Sequence, residues 1–441
     1  EPNYRIRPTE FNFLNIEKVT SESGIQAWLV EDHTAPILSI EFQFKGAGSS
    51  NDPHNLQGLS QMLSNTLDEC AGEINAKDFQ SILENKSIQL HFNSSRDHFG
   101  GRLQTLTKYQ DDAYHLLALA LTKPQLTTEA VERMKQANLS RIRSNMADPE
   151  WMQARLTNSI LYKGHPYAKN SGGTLSGLSQ ITPELLRQKQ QQELAKDNLL
   201  VSVAGNITPK ELGVILDTIF GNLPAHAKIQ PIADAIFPTT PDTTLLTKDI
   251  PQTFVTMILA GIDLNDPDYA AADVLNFILG SSGFGSRLTD VVREQRGLTY
   301  GIYSSLNHLD HSNILSITTS TKTESTQDVI DLTLGVMDSL IKSPVSEKEL
   351  HDAKSYLIGS VPLELTSTSN IAGVIMGLQS AGLSADYLDS RIAAIQKITA
   401  HDVSRIAKRL LNTKEIQTIM VGTPHLRETR LRLVPTLPDV E

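Results

Sequence analysis

The segment 284–304 holds two polar side chains whose types and spacing could do chemistry, Arg293 and Tyr300, seven positions apart. A helix through Arg293 is predicted to end at Gly297, since glycine is favoured directly after a helix, and a strand is predicted to begin near Thr299. This arrangement would bring a guanidinium and a phenol O–H together, and both groups donate hydrogen bonds. Two convergent donors suit a peptide carbonyl or a developing oxyanion. The alternative is that Arg293 pairs with a local carboxylate and Tyr300 lies half-buried in a sheet.

The twelve histidines form no recognisable metal-binding motif. Neither His-x-x-Glu-His nor His-Glu-x-x-His occurs, and these spacings matter because they place two imidazoles on one face of a helix. His308 and His311 are predicted to lie in a polar loop after a strand. The glycine-rich run 280–285 lacks the ending of a phosphate-binding loop, and no Gly-x-Ser-x-Gly sequence is present. The residues alone therefore indicate no metal, serine-hydrolase or nucleotide site.

The composition is that of a folded, acidic protein. Hydrophobic residues make up 39% of the 441 residues and charged residues 20%, values ordinary for a globular chain. The formal net charge is −11, which is opposite in sign to a generic nucleic-acid binder. The single cysteine, Cys70, excludes an intrachain disulfide and a Cys-rich zinc module. No apolar run approaches the ~18 residues needed to cross a bilayer.

The chain repeats itself at an interval of 214 to 218 residues. The clearest pair is Asn51-Asp52-Pro53 and Asn265-Asp266-Pro267, each after an apolar, β-prone run and before a stretch with helical period. An interval this long indicates duplication of a whole domain. The stretch 231–244 is predicted to be the linker, because its prolines stiffen the chain. The predicted domains are therefore 1–230 and 245–441.

Each half mixes short apolar runs, typical of strands, with longer stretches of helical period. The run 88–92 is one such strand, and 110–122 is one such helix. The predicted fold class is α+β, with two homologous domains, each a mainly antiparallel sheet packed against helices.

Several short segments, spread over both halves of the chain, resemble segments of a known enzyme family. Residues 284–304 resemble the C-terminal signature of the pitrilysin or insulinase-type zinc metallopeptidases, which include the mitochondrial processing peptidase and its bacterial relatives. Gly46–Ser50 and Leu56–Ser60 resemble the segment that leads into the family's metal-binding helix. Gly164–Tyr167 and Gly172–Thr174 resemble its mid-domain motif. In that family an arginine and a tyrosine seven positions apart contact substrate, so the resemblance gives this role to Arg293 and Tyr300.

The zinc-binding positions depart from the family pattern. Its inverted motif, His-x-x-Glu-His, would fall on 61–65, where Gln61 and Asn65 replace the histidines and Ser64 replaces the catalytic glutamate. The third ligand, a glutamate, falls at or near Arg141. Zinc requires imidazole or anionic ligands, and two neutral amides and a cation supply neither. We therefore predict that this chain binds no zinc and hydrolyses no peptide alone.

Some members of this family are heterodimers in which one subunit carries the zinc motif and the other keeps the Arg/Tyr pair. The resemblance implies that this chain is the second kind, a non-catalytic, substrate-contacting subunit of a peptidase. Its expected partners are a zinc-carrying paralogous subunit and a peptide substrate, and the zinc is expected in that partner. No nucleic acid and no membrane span are expected.

Two other functions stay open. The first is a structural role without peptidase activity, like that of family members that are scaffold subunits of respiratory complexes. The second is a stand-alone enzyme with an unrecognised metal site. Residues 89–94 are predicted either to form a sheet edge that takes up substrate as an added strand or to be an ordinary strand. Because the chain starts at Glu1 and has few basic residues, a processed periplasmic protein is predicted, with the mitochondrial matrix as the alternative.

Overall fold

The computed structural model describes residues 13–283, 285–427, 430–438 and 440–441. Within these ranges each half of the chain forms one six-stranded sheet packed against helices. This confirms the predicted fold of two homologous α+β domains. Glu1 and Phe284, which entered the sequence predictions, lie outside the described residues.

The first half contains the elements β1–β6 and α1–α8. Its strands are β1 (Glu17–Thr20), β2 (Gln26–Glu31), β3 (Ile37–Lys45), β4 (Gln89–Ser94), β5 (His98–Leu106) and β6 (Leu199–Gly205). Its helices are α1 (Leu59–Ser64), α2 (Ala76–Asn85), α3 (Gln110–Thr122), α4 (Thr128–Asn145), α5 (Pro149–Leu161), α6 (Leu175–Gln180), α7 (Pro183–Glu193) and α8 (Pro209–Phe220).

The second half contains β7–β12 and α9–α14. Its strands are β7 (Asp242–Thr247), β8 (Gln252–Ala260), β9 (Thr299–Leu309), β10 (Ser312–Lys322), β11 (Gln417–Gly422) and β12 (Arg432–Val434). Its helices are α9 (Tyr269–Asn276), α10 (Thr326–Lys342), α11 (Glu347–Gly359), α12 (Thr368–Ser380), α13 (Tyr387–Lys397) and α14 (Ala400–Leu410). Since β7 begins at Asp242, the last three residues of the predicted linker 231–244 belong to a strand.

The two sheets share the order of five strands. The first runs β1-β2-β6-β3-β5-β4 and the second β12-β7-β11-β8-β10-β9. In each sheet the neighbours are mostly antiparallel, and β2 with β6 and β7 with β11 form the corresponding parallel pairs. The outermost strand differs, because β1 comes from the start of the first half and β12 from the end of the second. The strands β4 and β9 are the opposite edges, so each has one unpaired side.

Alternation of side chains along β3 explains the two-sided packing of the first sheet. Its apolar side chains enter the core formed with the helices of the first half, and they are Leu38, Ile40, Phe42 and Phe44. The polar side chains between them point to the other face of the sheet, as the two-residue period of a strand requires. There Ser39 hydrogen-bonds to Thr368 of α12, 2.9 Å away.

Each half donates one helix to the sheet of the other half. Helix α5 of the first half packs on β8 and β11, and α12 of the second half packs on β3 and β6. Both helices use a glutamine amide to reach a main-chain carbonyl of a central strand. Gln153 donates to Ile419 O at 2.5 Å, and Gln379 donates to Val201 O at 2.8 Å. This reciprocal exchange places a cleft between the halves, beside α5.

The N-terminal caps of the corresponding helices α7 and α14 are the same residue type in the two halves. Thr182 and Thr399 each accept a hydrogen bond from the backbone N–H three residues later, at the starts of α7 and α14. Such N-caps satisfy backbone donors that the first turn leaves free. Among the described residues no helix is long and apolar enough to cross a membrane.

Candidate functional site

Helix α1, which carries two of the predicted site residues and is followed directly by a third, begins where two glycine motifs meet. Gly58 has a φ of +98°, and a Cβ on it would lie 2.7 Å from the Cα of Gly173. The two backbones therefore approach closely only because both residues are glycine. Gln57 adds a hydrogen bond, since its Oε1 accepts from the Asn170 N–H at 2.6 Å. The motif before α1 and the mid-domain motif thus form one structural unit.

A buried charge cluster holds the first turn of α1. Asp52 is 1% exposed and accepts hydrogen bonds from the Ser60 N–H at 3.1 Å and the Ser60 hydroxyl at 2.6 Å. The ammonium group of Lys189 lies 3.3 Å from Asp52 and 2.5 Å from Glu193. Burial disfavours the Lys189 cation, but the two carboxylates outweigh it and raise the pKa of Lys189. Burial also raises the pKa of Glu193 to about 7.

The three predicted positions on and after α1 bond mainly to one another. Gln61 Nε2 lies 3.3 Å from Asn65 Oδ1 and 3.4 Å from Ser64 Oγ. The Ser64 hydroxyl donates to the Gln61 carbonyl at 2.8 Å and is 3% exposed. No charged base contacts this hydroxyl in these hydrogen bonds, and a serine at neutral pH needs such an activator to act in catalysis.

The residue of α4 that contacts α1 is Asn138, which the sequence did not single out. Its Nδ2 donates to Asn65 Oδ1 at 3.0 Å, and its Oδ1 accepts from Arg141 Nη2 at 2.7 Å. The same guanidinium nitrogen reaches the Gly172 carbonyl at 3.0 Å. Arg141 therefore lies one helical turn after Asn138 and is linked to Asn65 through the hydrogen bonds of Asn138. Asn138 lies three residues before Arg141 on the same helix face, and this spacing is the signal that could have found it.

The donor set of this region does not fit zinc. Three amides, a hydroxyl and a guanidinium are present, and zinc sites in proteins use thiolate, imidazole or carboxylate ligands. The amide oxygens that could face a metal already accept hydrogen bonds, and Arg141 adds a positive charge. Within the described part of the chain, no three His, Cys, Asp or Glu residues come together in a group that could hold a metal.

Helix α1 lies against β4, which is Gln89–Ser94. Among the described residues this strand pairs only with β5, so it is an edge strand of the first sheet. Its outer side has backbone groups to which another strand could bond. Whether a peptide occupies that side stays a prediction.

Arg293 lies in a helix that is hydrogen-bonded to α11 of the second half. Residues Thr289–Glu294 form a π-helical segment. Such segments are rare in proteins, and those that occur are often found at functional sites. Arg287, at the start of this helix, makes two hydrogen bonds to Glu349 of α11, at 2.7 and 3.1 Å. These bonds lower the pKa of Glu349 to about 2. The helix ends at Gly297, which has a φ of +63°, as predicted from the glycine.

Tyr300 is the second residue of the edge strand β9 and is 87% exposed. The alternative expectation, a tyrosine half-buried in the sheet, is therefore wrong. The side chain of Arg293 is 34% exposed, and its guanidinium lies 3.9 Å from the carboxylate of Glu294. The alternative expectation of a pairing with a local carboxylate is therefore met, but at a long distance. The Arg293 helix packs against β9, which keeps the two residues at the same end of that strand.

Tyr300 lines a cleft of about 900 Å³ between the halves. The sheet side of the cleft combines polar residues, among them Tyr303, Thr318 and Ser320, with apolar ones, and its other wall is α5 of the first half. A Cβ on Gly301 would lie 2.7 Å from the Tyr303 ring, so the glycine allows this ring to lie close to the strand. The cleft thus combines aromatic side chains, hydroxyl groups and the open edge of β9.

His311 lies in the turn between β9 and β10, as predicted, whereas His308 belongs to β9, so the prediction of a loop is wrong for His308. His308 Nδ1 is 3.0 Å from the side-chain oxygen of Asn313, and its Nε2 is 3.1 Å from the Tyr269 hydroxyl. His311 Nδ1 is 3.1 Å from the carboxylate of Asp234. Both imidazoles therefore have protein partners.

Comparison with family models matches most of the chain to one family. Residues 28–174 match the insulinase model of peptidase family M16, and residues 180–357 match the peptidase M16 inactive domain. The chain belongs to the M16 family. The resemblance predicted from the motifs is thereby confirmed. The M16 match also covers both regions described above, namely α1 with Asn138 and Arg141, and the Arg293–Tyr300 segment.

Individual relatives extend over nearly the whole chain. The non-peptidase homolog YmxG of Helicobacter pylori is 27% identical over 382 residues, 86% of this chain and 87% of that protein. The probable mitochondrial-processing peptidase subunit beta of Schizosaccharomyces pombe is 25% identical over 425 residues, 92% of this chain and 91% of that protein. The crystal structure of a peptidase M16 inactive domain from Pseudomonas fluorescens superposes with a TM-score of 0.87 at 26% identity, covering 94% of this chain and all of that chain. These similarities fit a non-catalytic role for an M16 chain whose metal positions are amides and a guanidinium.

Proposed function

We propose that this M16 chain is the non-catalytic, substrate-contacting subunit of a heterodimeric zinc peptidase that acts on peptides. One observation carries the proposal. The metal positions on α1 are closed by hydrogen bonds among amides, whereas Tyr300 stays exposed in an open cleft. A protein with only a structural role has no need of an exposed tyrosine at the start of the strand that follows the Arg293 helix.

In this proposal Arg293 and Tyr300 bind the main chain of a peptide held between the subunits. The guanidinium and the phenol O–H donate hydrogen bonds to the carbonyl of the bond to be cleaved, and such donors stabilise the charge that develops there. Zinc held by a paralogous partner would polarise the same carbonyl and activate water. The edge of β9 offers backbone groups that keep an extended peptide in register with these side chains.

The test is a peptidase assay of this chain purified together with its zinc-carrying paralogue. Removing a donor to a developing oxyanion costs about 10²-fold in kcat, so Arg293→Ala and Tyr300→Phe should each reduce kcat by that order. Arg296→Ala and Tyr356→Phe are matched controls, because both residues are exposed and neither belongs to the Arg/Tyr pair. The controls should leave kcat unchanged.

Full activity of the Arg293→Ala and Tyr300→Phe complexes would contradict the substrate-contacting role and favour a scaffold role. Failure of the two chains to co-purify and to cleave any peptide together would contradict the heterodimer itself. We place the complex in the bacterial periplasm, and fractionation of cells with an antibody to this chain checks that location.

Metal analysis tests the other half of the proposal. The purified chain, dialysed against zinc and then against buffer, should keep no stoichiometric zinc, because amides and a guanidinium are poor ligands. The paralogue treated in the same way should keep about one zinc per chain. One tightly bound zinc in this chain would show that it carries a metal site elsewhere.

A further inference from the structure

A second groove lies on the outer helices of the first half, away from the cleft. It has a volume of about 930 Å³ and runs between α3 and α8. Its middle is apolar and includes Ala118, Val214 and Ile215, of which Val214 is 67% exposed. Two carboxylates, Asp111 and Glu211, line one end, and Lys123 lines the other. A groove that combines an apolar patch with polar groups is typical of a binding site.

A residue in the wall of this groove has a buried hydroxyl group without a partner. Tyr114 lines the groove and is 4% exposed, and its hydroxyl oxygen has no hydrogen-bond partner among the described residues. Burial, with the nearby charges of Asp111 and Glu211, raises the pKa of Tyr114, so the phenol keeps its proton. A buried donor without an acceptor is unfavourable. The groove therefore lacks a hydrogen-bond acceptor that a ligand could bring.

The carboxylate at the groove's end is also unused. Asp111 lies in the first turn of α3 and makes no hydrogen bond or ion pair within the described residues. Its neighbour Asp112 differs, because it pairs with Lys86 at 2.5 Å and does not line the groove. Glu211 is partly engaged, as it accepts from the Thr208 N–H at 2.9 Å and hydroxyl at 2.7 Å. A cation at this end of the groove would find an acidic environment.

The second half shows what the corresponding helix start binds. Gln327-Asp328 at the start of α10 repeats Gln110-Asp111 at the start of α3, 217 residues later. There the Arg427 N–H donates to the side chain of Gln327 at 3.1 Å, and its guanidinium lies 2.9 Å from both Asp328 and Asp331. Arg427 belongs to a segment with neither helix nor strand.

The residue before this arginine supplies the apolar part of the contact. Leu426 lies beside Ile330 and Leu334 of α10 and packs against the core of the second half. In the first half α8 occupies the corresponding place along the helix, and the groove remains open beside Asp111. The helix start with Gln and Asp is thus a site for an irregular segment that brings a backbone N–H, an apolar side chain and a guanidinium.

We propose that the groove between α3 and α8 binds a short arginine-bearing segment of a separate partner protein. Its guanidinium lies on Asp111 and Glu211, an apolar side chain packs on Val214 and Ile215, and a main-chain carbonyl accepts from the Tyr114 hydroxyl. The charge of the groove's end, the unpaired phenol and the Arg427 contact each fit this occupant. The inference does not depend on the proposed peptidase role, because the groove and the cleft share no residues.

The probe is a fluorescent, C-terminally amidated peptide that copies residues 421–427 of this chain. Its binding to the full-length protein is measured by fluorescence anisotropy at low salt. The chain's own tail stays on α10, because tethering gives it a high effective concentration, so the probe reports the groove. Saturable binding is expected, and it should weaken as salt is added because the ion pair is exposed.

Matched variants identify the site. Asp111→Asn should weaken binding about tenfold, and Tyr114→Phe about threefold, since each removes one polar contact. Asp112→Asn removes the same charge from the next residue of the same helix and should leave binding unchanged. A peptide with Gln in place of Arg427 should bind as weakly as the Asp111→Asn pair.

Three results would overturn the proposal. The first is the absence of saturable binding to the unmodified protein. The second is an equal loss with Asp111→Asn and Asp112→Asn, which would indicate a general charge effect. The third is a dimer of this chain that Asp111→Asn dissociates, which would make a second copy the occupant. Circular dichroism of each variant shows that it is folded.

Discussion

The α1 region of the first half and the β9 cleft of the second half differ in what their polar side chains contact, which is other side chains around α1 and solvent at β9. Around α1, the side chains of Gln61 and Asn138 both donate hydrogen bonds to Asn65, and the buried Asp52–Lys189 ion pair lies at the first turn of the helix. At β9, Tyr300 is 87% exposed on a strand with one open edge. A region whose polar groups are already paired has no need of a ligand, and a region whose groups face solvent can accept one. The α1 region is therefore closed by its own contacts, and under the proposed function the cleft is where a peptide would bind.

The largest expected difference concerns the repeated aspartates before the first helix of each half. Asp52→Ala should cost about 3–5 kcal/mol of the free energy of unfolding, because Lys189 would be left buried beside a partly protonated Glu193. Its counterpart Asp266 pairs with Arg409, whose side chain is 48% exposed. Asp266→Ala should cost about 1 kcal/mol or less, since exposed ion pairs contribute little.

Urea denaturation of the two variants measures this difference. Equal losses at Asp52 and Asp266 would show that the buried cluster is not what distinguishes the halves. If Asp52→Ala fails to fold, the milder Asp52→Asn keeps the shape and tests the same charge.

The next effect concerns the support of the Arg293 helix and depends on pH. Glu349 has its pKa lowered from 4.5 to about 2, mainly by the hydrogen bond from Arg287. The stabilisation is therefore present above pH 4.5 and is lost as the pH falls towards 2. At pH 7, Glu349→Gln should lower the free energy of unfolding by about 1.5–3 kcal/mol, the range for a hydrogen bond to a charged group.

The check is denaturation of Glu349→Gln and the native chain between pH 7 and pH 3. The two curves should converge at the acid end. Glu347→Gln in the same first turn of α11 is the control, and its stability should follow that of the native chain at each pH. Curves that stay parallel to pH 3 would mean that the Arg287 contact does not lower the pKa of Glu349.

The smallest effects compare the two regions directly. Asn65→Ala should cost about 1 kcal/mol, because the buried Asn138 amide loses one acceptor and keeps the Met134 carbonyl, 2.8 Å away. Tyr300→Ala should change stability by about 0.5 kcal/mol or less, as an exposed side chain has little packing to lose. Thermal denaturation measures both. A larger loss at Tyr300 than at Asn65 would reverse the contrast between the closed and the open region.

The repeat and the local rules of helix ends were predictable from the sequence. Thr182 and Thr399 cap their helices, and Gly297 ends the Arg293 helix, because these preferences depend only on residues close in the chain. The family also followed from short motifs in a fixed order. The identity of residues 61–65 was enough to show that zinc ligands are missing.

Contacts between distant segments were not predictable. The sequence pointed to Arg141, while the residue that contacts α1 is Asn138, and only the packing of α4 on α1 selects between neighbours on one helix face. The reciprocal exchange of α5 and α12 left no local signal, since an amphipathic helix pattern does not say which sheet it covers. The π-helical form of Thr289–Glu294 was not predicted either.

The sequence by itself determined the duplication, the family and the loss of metal ligands, because these depend on residue types and their spacing. The tertiary structure alone decided the exposure of Tyr300, the closure of the amide network by Asn138 and the groove beside Asp111. The physical reason is that hydrogen bonding and burial depend on what the fold brings against a side chain. Of two aspartates 217 positions apart with the same local sequence, Asp328 thus pairs with Arg427, whereas Asp111 has no partner among the described residues.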